Sequence, residues 1–320
     1  MTTRRSSLAL FAILLLAGAA VASASTISRG ATTSKATGKP GPGTKLAGCP
    51  VLPRSNAFNR DISDAPVHPR SSQYISSIGP GTNLHADFGS GQYGNYGIPF
   101  RVVGKKQKKF PVRFTAYGSE SDRGPYPIPL DTRIEGGSDN HVIALQRGSC
   151  KLYELYRAQR GKGRWLADSG ARFDLRSNKL RPAGWTSADA AGLPIMPGLA
   201  RADEASSGRI THVLRVTVSE SQRGYIHPAR HFASSSNDRS LPPMGLRLRL
   251  KAGYRLGRFS GQTLAIMKAL KIYGLIVADN GSDWYISGTP DRRWNDDVLD
   301  QLKTVPGRAF EAVQTGGIHR

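Results

Sequence analysis

The strongest constraint on the fold is a pair of alternating segments that flank one irregular loop. Residues 212–218 and 246–251 alternate apolar with polar or charged side chains. A period of two predicts β-strands and not helices. The loop between them carries His227, Arg230 and His231, and loops held by a rigid scaffold often bear functional groups. We therefore predict a β scaffold that presents imidazole and guanidinium groups at its rim.

Further short strand patterns run along the chain, and one long helix pattern interrupts them. Hairpins are predicted over 98–117 and 141–158, and a third hairpin turns at the Asn-Gly pair 280–281. The helix follows Ser260 as its N-cap. We predict a mainly β fold, an antiparallel β-sandwich or jelly roll with one covering helix. Parallel α/β architecture is disfavoured, because strands and helices do not alternate regularly.

The N-terminus has the pattern of a secretory signal peptide. Arg4 and Arg5 precede an apolar run over 8–21, and residues 22–24 read Ala-Ser-Ala, a small-residue cleavage site. The apolar run is shorter than the roughly 20 residues that a membrane-spanning helix needs. We predict a signal peptide over 1–24, export of the chain, and no transmembrane anchor in its mature form.

A change of composition marks the start of the folded region. Residues 25–48 are rich in Ser, Thr, Gly and Lys with almost nothing to bury, which predicts a flexible linker. No second low-complexity segment follows, so we predict a single β-sandwich domain over 49–316. Cys49 and Cys150 are the two cysteines, and in an exported chain they predict one disulfide.

The chain is strongly basic. It contains 45 Lys and Arg against 23 Asp and Glu, and its formal net charge is +22. Such a charge raises affinity for polyanions, so we expect a secreted or cell-wall-associated protein whose partner is an extracellular polysaccharide, neutral or anionic. We expect no nucleic-acid partner. Charge describes association and not chemistry, and a basic secreted protein with no such partner has the same composition.

A long loop over 181–208, punctuated by Gly and Pro, is the most suggestive candidate site. Its apolar side chains predict that it packs against the protein, and long ordered loops are often functional. Asp189 and Glu204, with Trp185 nearby, supply the acid and the second carboxylate that sugar hydrolysis requires. Alternatively, Asp189 is a turn residue that follows Ser187, and Glu204 belongs to a solvated corner.

Basic side chains support a second chemistry, elimination from a polyuronate. Arg215, Arg247 and Arg249 on a concave sheet face would neutralise the uronate while a histidine removes a proton. The alternative is an ordinary solvated strand face. A third candidate is Glu154, a carboxylate on a predicted strand with apolar and aromatic neighbours. The alternative is that Glu154 forms an ion pair with an arginine. The candidate catalytic residues are Asp189, Glu204, His212 and His231, and the candidate substrate-binding residues are Trp185, Arg215, Arg230 and Glu154.

Strong catalytic motifs are missing from the sequence. It has no Gly-rich phosphate loop, HExxH helix, GxSxG turn or paired cysteine ligands, so we expect neither a cofactor nor a metal. The leading interpretation is a glycan-degrading enzyme similar to glycoside hydrolases. A polyuronate lyase and a non-enzymatic cell-wall or glycan-binding protein are the alternatives.

Three segments carry a resemblance to a known group of proteins. They are GWTSADAAGLPIMPGLARADE (184–204), PPMGLRLRLKA (242–252) and YGLIVADNGSDWYISG (273–288). They resemble a family of secreted bacterial β-rich proteins without a characterised member. The resemblance implies a shared extracellular fold over about residues 49–313, and it implies no activity, cofactor or catalytic residue.

Overall fold

Short strands dominate the computed structural model, which describes residues 39–94 and 96–320. The mainly β prediction is confirmed. The strands are β1 (Lys39–Pro40), β2 (Lys45–Leu46), β3 (Cys49–Pro50), β4 (Arg60–Asp61), β5 (His85–Asp87), β6 (Phe100–Val103), β7 (Val112–Phe114), β8 (Val142–Gln146), β9 (Lys151–Tyr156), β10 (Gln159–Gly161), β11 (Arg164–Ala167), β12 (Ser169–Asp174), β13 (Leu214–Val218), β14 (Tyr225–Ile226), β15 (Arg247–Leu250), β16 (Leu275–Asn280), β17 (Tyr285–Ser287), β18 (Phe310–Val313) and β19 (Ile318–His319).

Helices are few and mostly short. They are α1 (Ser71–Ile78), α2 (Ala202–Ser206), α3 (Gly261–Ile272) and α4 (Asp296–Leu299), with 3₁₀ turns at Ala57–Asn59, Gly118–Glu120, Met196–Gly198, Asp300–Thr304 and Gly307–Ala309. The helix predicted after Ser260 is α3, and it buries Ile266, Met267 and Leu270 in the main core. No helix among the described residues is long and apolar enough to cross a membrane.

The predicted signal peptide, 1–24, and residues 25–38 of the predicted linker lie outside the described residues. Residues 39–48, the last part of that linker, contribute two short strands. β1 pairs with β4, and β2 pairs with β3. All the described residues belong to one compact unit.

The largest sheet is mixed and holds six strands in the order β18-β15-β16-β13-β17-β5. β13 runs parallel to β16, and β17 runs parallel to β5, whereas the other neighbours are antiparallel. The hairpin predicted at residues 280–281 is wrong, because β13 lies between β16 and β17 and pairs with both. The Asn-Gly pair therefore marks a real reversal of the chain, but it does not predict which strands pair.

Two smaller sheets complete the frame around the main core. One has the order β12-β9-β8-β6, and the other has the order β10-β11-β7. The hairpin predicted over 141–158 is confirmed by the antiparallel pair β8 and β9. The hairpin predicted over 98–117 is wrong, since β6 and β7 belong to different sheets and each has a parallel partner. Several mixed sheets thus replace the expected antiparallel pattern, and they do not form a clear sandwich.

The basic face expected on β13 and β15 is buried. Arg247 and Arg249 are 2% and 6% exposed. Arg247 donates hydrogen bonds to the carbonyls of Ala57 and Tyr273, and Arg249 forms a 2.5 Å ion pair with Glu311. The prediction of a cationic surface for a uronate is therefore wrong for these side chains, because both faces of the strands are covered and the arginines satisfy internal acceptors.

A disulfide joins Cys49 to Cys150, 101 residues apart, which confirms that prediction. It connects β3 to the turn that precedes β9. Disulfides persist in oxidising compartments, so this bond fits a location outside the cytoplasm.

Candidate functional site

A cleft of about 470 Å³ opens where the four-stranded and six-stranded sheets approach each other. One side comes from the end of β9 and the start of β12, and the floor includes the carboxyl end of β16. Two loops close the remaining sides. The lining residues are Tyr117, Tyr156, Ser169, Thr186, Ser187, Ala188, Asp189, Ala190, Arg223, His231, Phe232, Ala233, Ser234, Ser235 and Asp279.

A tight turn over residues 186–192 brings Asp189 to the floor of the cleft. The Asp189 amide donates to the Ser187 hydroxyl at 3.0 Å, and the Ala191 amide donates to the Asp189 carboxylate at 2.9 Å. The same Ala191 amide also lies 3.0 Å from the Ala278 carbonyl, which docks the turn on β16. These bonds are typical of an Asx-type turn. Asp189 is therefore a turn residue, as the alternative interpretation predicts, and it also lines the cleft.

Gly192 closes this turn at a φ of +70°, a conformation that favours glycine. A Cβ atom at this position would lie 2.5 Å from the Trp185 carbonyl oxygen and 3.2 Å from the Cβ of Arg230. The turn and the loop that carries His231 therefore approach each other more closely than any side chain at residue 192 would allow.

Asp189 forms a buried ion pair with Arg215 of β13. The guanidinium Nε and Nη2 lie 2.8 Å and 2.7 Å from Asp189 Oδ2, and Nη1 donates to the Ser287 hydroxyl at 2.8 Å. Asp189 is 1% exposed and Arg215 is 2% exposed. The predicted substrate-binding residue Arg215 thus lies beneath the cleft, where it fixes the orientation of the carboxylate.

Asp279 provides the second carboxyl of the floor. Its Oδ1 accepts a hydrogen bond from the Asn280 amide at 2.8 Å, and its Oδ2 accepts from the Ala190 amide at 3.4 Å. Burial raises the pKa of Asp279 from 3.8 to about 7, and the negative charge of Asp189 adds to the increase. Burial raises the pKa of Asp189 as well.

Burial raises the pKa of both carboxyls, so the pair retains a proton near neutral pH. Arg215 binds the carboxylate of Asp189, which favours the ionised form there. We therefore assign the proton to Asp279.

A buried histidine supports the same turn from behind. Nδ1 of His141 lies 2.5 Å from a carboxylate oxygen of Glu135, and Nε2 donates to the Ala188 carbonyl at 2.9 Å. Burial opposes a charged imidazole, but the hydrogen bond and the charge of Glu135 outweigh it and raise the pKa of His141. His141 therefore acts as a cation that holds the backbone next to Asp189.

Glu154, a predicted substrate-binding residue, lies beneath the loop and is not among the residues that line the cleft. Its carboxyl accepts hydrogen bonds from the amides of Ile195, at 2.9 Å, and Met196, at 3.0 Å. Burial raises its pKa from 4.5 to about 7. The residue anchors the loop over 181–208, whose apolar side chains are buried as predicted.

Glu204 and His212, both predicted to be catalytic, contact each other in a separate buried site. Nε2 of His212 lies 3.0 Å from Glu204, and Nη2 of Arg201 lies 2.7 Å from the other carboxylate oxygen. Burial opposes ionisation of Glu204, but His212 and Arg201 outweigh it and lower the pKa. Neither predicted residue is among the described side chains that line the cleft.

His231 is the predicted histidine that does reach the cleft. Its Nδ1 lies 2.8 Å from the Ala190 carbonyl and donates to it, so Nε2 is left to face a ligand. Its ring stacks on Phe232 with an interplanar angle of 4°. The structure therefore brings together Asp189 and His231, with Arg215 behind them.

Trp185 and Arg230, both predicted to bind substrate, are not among the residues that line the cleft. Trp185 packs against the Arg181 guanidinium, 5.6 Å from its ring, and borders a different depression. Arg230 donates from Nε to the Arg181 carbonyl at 2.9 Å. Arg230 therefore connects the loop over 181–208 to the loop that carries His231, whereas Trp185 packs within its own loop.

Sequence reasoning missed Asp279 and the aromatic lining. Asp279 precedes an Asn-Gly pair, a local pattern that indicates only a turn residue. Its signal is topological, because it lies at the carboxyl end of β16, which runs parallel to β13, and ligands commonly bind beyond such strand ends. Tyr117 and Tyr156 have no local pattern that separates them from ordinary surface or core residues.

No family model, curated protein or solved structure matches this chain. Among the described residues, no group of three or more His, Cys, Asp or Glu side chains is arranged to hold a metal ion. The chemistry of the cleft must therefore be inferred from its own residues.

Proposed function

We propose that this protein is a secreted enzyme that hydrolyses glycosidic bonds of an extracellular polysaccharide, with Asp279 as its catalytic acid and the buried Asp189 as the carboxylate that stabilises the developing charge. One observation carries the proposal. A buried carboxyl, that of Asp189 paired with Arg215, and a partly exposed one, that of Asp279, both line the floor of an open cleft. Sugar hydrolysis uses a pair of carboxyl groups of which one is protonated and the other ionised, and environments that push their pKa values apart assign the two roles.

Asp279 is the general acid of the proposed reaction. Because its pKa is raised to about 7, about half of the molecules hold this proton at pH 7, and Asp279 can transfer it to the glycosidic oxygen as the bond to the anomeric carbon breaks. Asp189 remains ionised through Arg215 and stabilises the positive charge that develops on the sugar. Water then supplies the hydroxyl for the anomeric carbon, and its proton leaves to a carboxylate.

The rest of the lining suits a sugar. Tyr117, which is 46% exposed, offers an aromatic surface and a hydroxyl, and Tyr156 and Phe232 add rings around the floor. Apolar rings combined with a few directed polar groups are typical of small-molecule sites. Arg223, 5.8 Å from the ring of Phe232, supplies a cation at the rim for an acidic substituent of the polymer.

Reducing-end release from a panel of neutral and acidic polysaccharides tests the proposal. Asp279→Asn should lower kcat by about 10²- to 10⁴-fold, the usual contribution of a general acid. Glu204→Gln is the matched control, because it changes a buried carboxyl outside the cleft lining and should keep its activity in the fraction that folds. Full activity of Asp279→Asn would exclude the assigned acid, and no release from any polymer would exclude the proposed class.

The pH dependence of the same assay has a definite sign. Activity should fall as the pH rises through about 7, because Asp279 then loses the proton that it donates. In Asp279→Asn, the residual activity should lack this decline. A wild-type rate that increases through this range would contradict the role of Asp279 as an acid.

A non-enzymatic function has support from a different feature. The segment between β6 and β7 carries Lys105, Lys106, Lys108 and Lys109, all exposed, in a chain of net charge +22. Such a surface attracts anionic wall polymers and loses affinity as salt screens it. Polymer binding that weakens steeply with salt, without release of reducing ends, would favour this second function.

A further inference from the structure

A second cavity, of about 540 Å³, lies between β5 and the segment 296–303. It shares no lining residue with the cleft. Its volume is within the range of small-molecule sites. Its lining combines aromatic rings with carboxylates, and those side chains are Tyr93, Tyr96, Tyr285, Asp87, Asp296 and Asp300.

Aromatic rings are held at the surface of this second cavity. Tyr93 and Tyr96 are 67% and 57% exposed, although large aromatic side chains are usually buried. The ring of Tyr285 stacks on His85, with 4.2 Å between the ring centroids. The cavity therefore presents ring faces to whatever enters it.

The charge of the second cavity is opposite to that of the whole chain. Three carboxylates line it against one ammonium, that of Lys303, which pairs with Asp300 at 2.7 Å. Burial lowers the pKa of His85, so its imidazole adds no positive charge at neutral pH. Asp87 is exposed at the lining of this cavity.

A bare metal ion does not fit this arrangement, because the described carboxylates and histidine do not converge as a chelating group. A larger cation can contact ring faces and separate carboxylates together. We propose that the second cavity binds an organic ammonium ion, carried by an amino sugar or by a quaternary amine. The proposal is independent of the chemistry assigned to the cleft.

Calorimetric titration of the full chain, carrying Asp279→Asn to keep the cleft inactive, tests this site. Glucosamine and choline are the two ammonium probes, and they distinguish a primary from a quaternary amine. N-acetylglucosamine is the neutral control and glucuronate the anionic one. We expect at least one ammonium probe to bind about tenfold or more tightly than both controls. Equal affinity for the neutral sugar, or no binding of either ammonium probe, would overturn the proposal.

Substitutions locate the site and separate it from the overall charge. Asp87→Asn and Tyr285→Leu should each weaken binding of the ammonium probe about tenfold, through loss of the anion or of the ring face. Asp64→Asn is the matched control, because it removes the same charge from an exposed position outside the cavity. If Asp64→Asn weakens binding as much as Asp87→Asn does, the attraction is that of overall charge and the proposal fails.

Discussion

Two carboxylate sites among the described residues differ in the pKa shift that their surroundings produce. Arg215 contacts Asp189, with Asp279 nearby, whereas Glu204 contacts both His212 and Arg201, and Arg201 also lies 3.5 Å from Asp203. Burial acts on both sites, yet the pKa of Asp279 rises to about 7 and that of Glu204 falls. The difference teaches that burial raises the pKa of a carboxyl unless nearby cations outweigh it. Arg201 and His212 outweigh it at Glu204, whereas burial prevails at Asp279, which lines the cleft.

Removing the cation of the first site should give the largest effect. Arg215→Met leaves Asp189 buried without an ionic partner, so we expect the free energy of unfolding to fall by about 3–5 kcal/mol at neutral pH. The loss should be smaller at about pH 5, where the isolated carboxyl can take up a proton. Denaturant unfolding at both pH values measures this, with the exposed Arg239→Met as the control. A loss that is equal at both pH values would contradict the assigned pairing.

Glu204→Gln probes the second site, in which the carboxyl contacts Arg201 and His212. Loss of a charged hydrogen-bond acceptor between Arg201 and His212 should lower the free energy of unfolding by about 1.5–3 kcal/mol at neutral pH. The pKa of Glu204 is lowered from 4.5, so its contribution is present above that value and is lost as the pH falls through the folded-state pKa. Unfolding measured across acid pH should therefore show the variant and the wild type converging. A gap that widens in acid would refute this account.

Glycine substitutions compare the backbone next to each site. Gly192, beside the Asp189 turn, and Gly208, just after α2, have φ values of +70° and +77°. A Cβ at residue 192 would lie 2.5 Å from the Trp185 carbonyl, whereas residue 208 has nothing within 4 Å. We expect Gly208→Ala to cost about 1 kcal/mol of unfolding free energy and Gly192→Ala about 2–3 kcal/mol. Equal losses in denaturant unfolding would mean that close approach does not constrain the turn.

The last predicted effect is a change in the slope of stability with pH, of at most about 1.4 kcal/mol per pH unit for one titrating group. The folded-state pKa of Asp279 is about 7 against 3.8 ordinarily, so the stability that its proton contributes is present below about 3.8 and is lost as the pH rises to 7. Asp279→Asn should make the unfolding free energy flatter with pH over this interval. Some slope should persist, because the pKa of Glu154 is also about 7. An unchanged slope would show that Asp279 titrates normally.

The sequence predicts local elements well because their signals are local. Alternation located β8, β9, β13 and β15, and the N-cap pattern located α3. Pairing depends on distant segments, so the Asn-Gly turn after β16 suggested a hairpin where β13 intervenes. Alternation also implied one solvated face on β15, yet Arg247 finds its acceptors in Ala57 and Tyr273, which no period in the sequence reveals.

Half of the proposed catalytic pair was visible in the sequence. Asp189 lies in a long apolar loop with few other acids, and that composition singled it out. The position of Asp279 in the cleft depends on segments that are distant in sequence. The Ala190 amide, 89 residues earlier, donates to its carboxyl, and Asp189 and Arg215 lie nearby. The same reasoning selected Glu204, which lies in the separate buried site with Arg201 and His212. The composition of a loop does not show whether a carboxyl faces the cleft or the protein interior.

The cleft lining spans the chain from Tyr117 to Asp279, and its floor is incomplete without β16. A polypeptide leaves the ribosome with its N-terminus first, so Asp189 and His231 emerge before the strand that bears Asp279. Any fragment that stops short of β16 thus lacks the proposed acid. The proposed function therefore requires that neither premature termination nor proteolytic trimming remove β16.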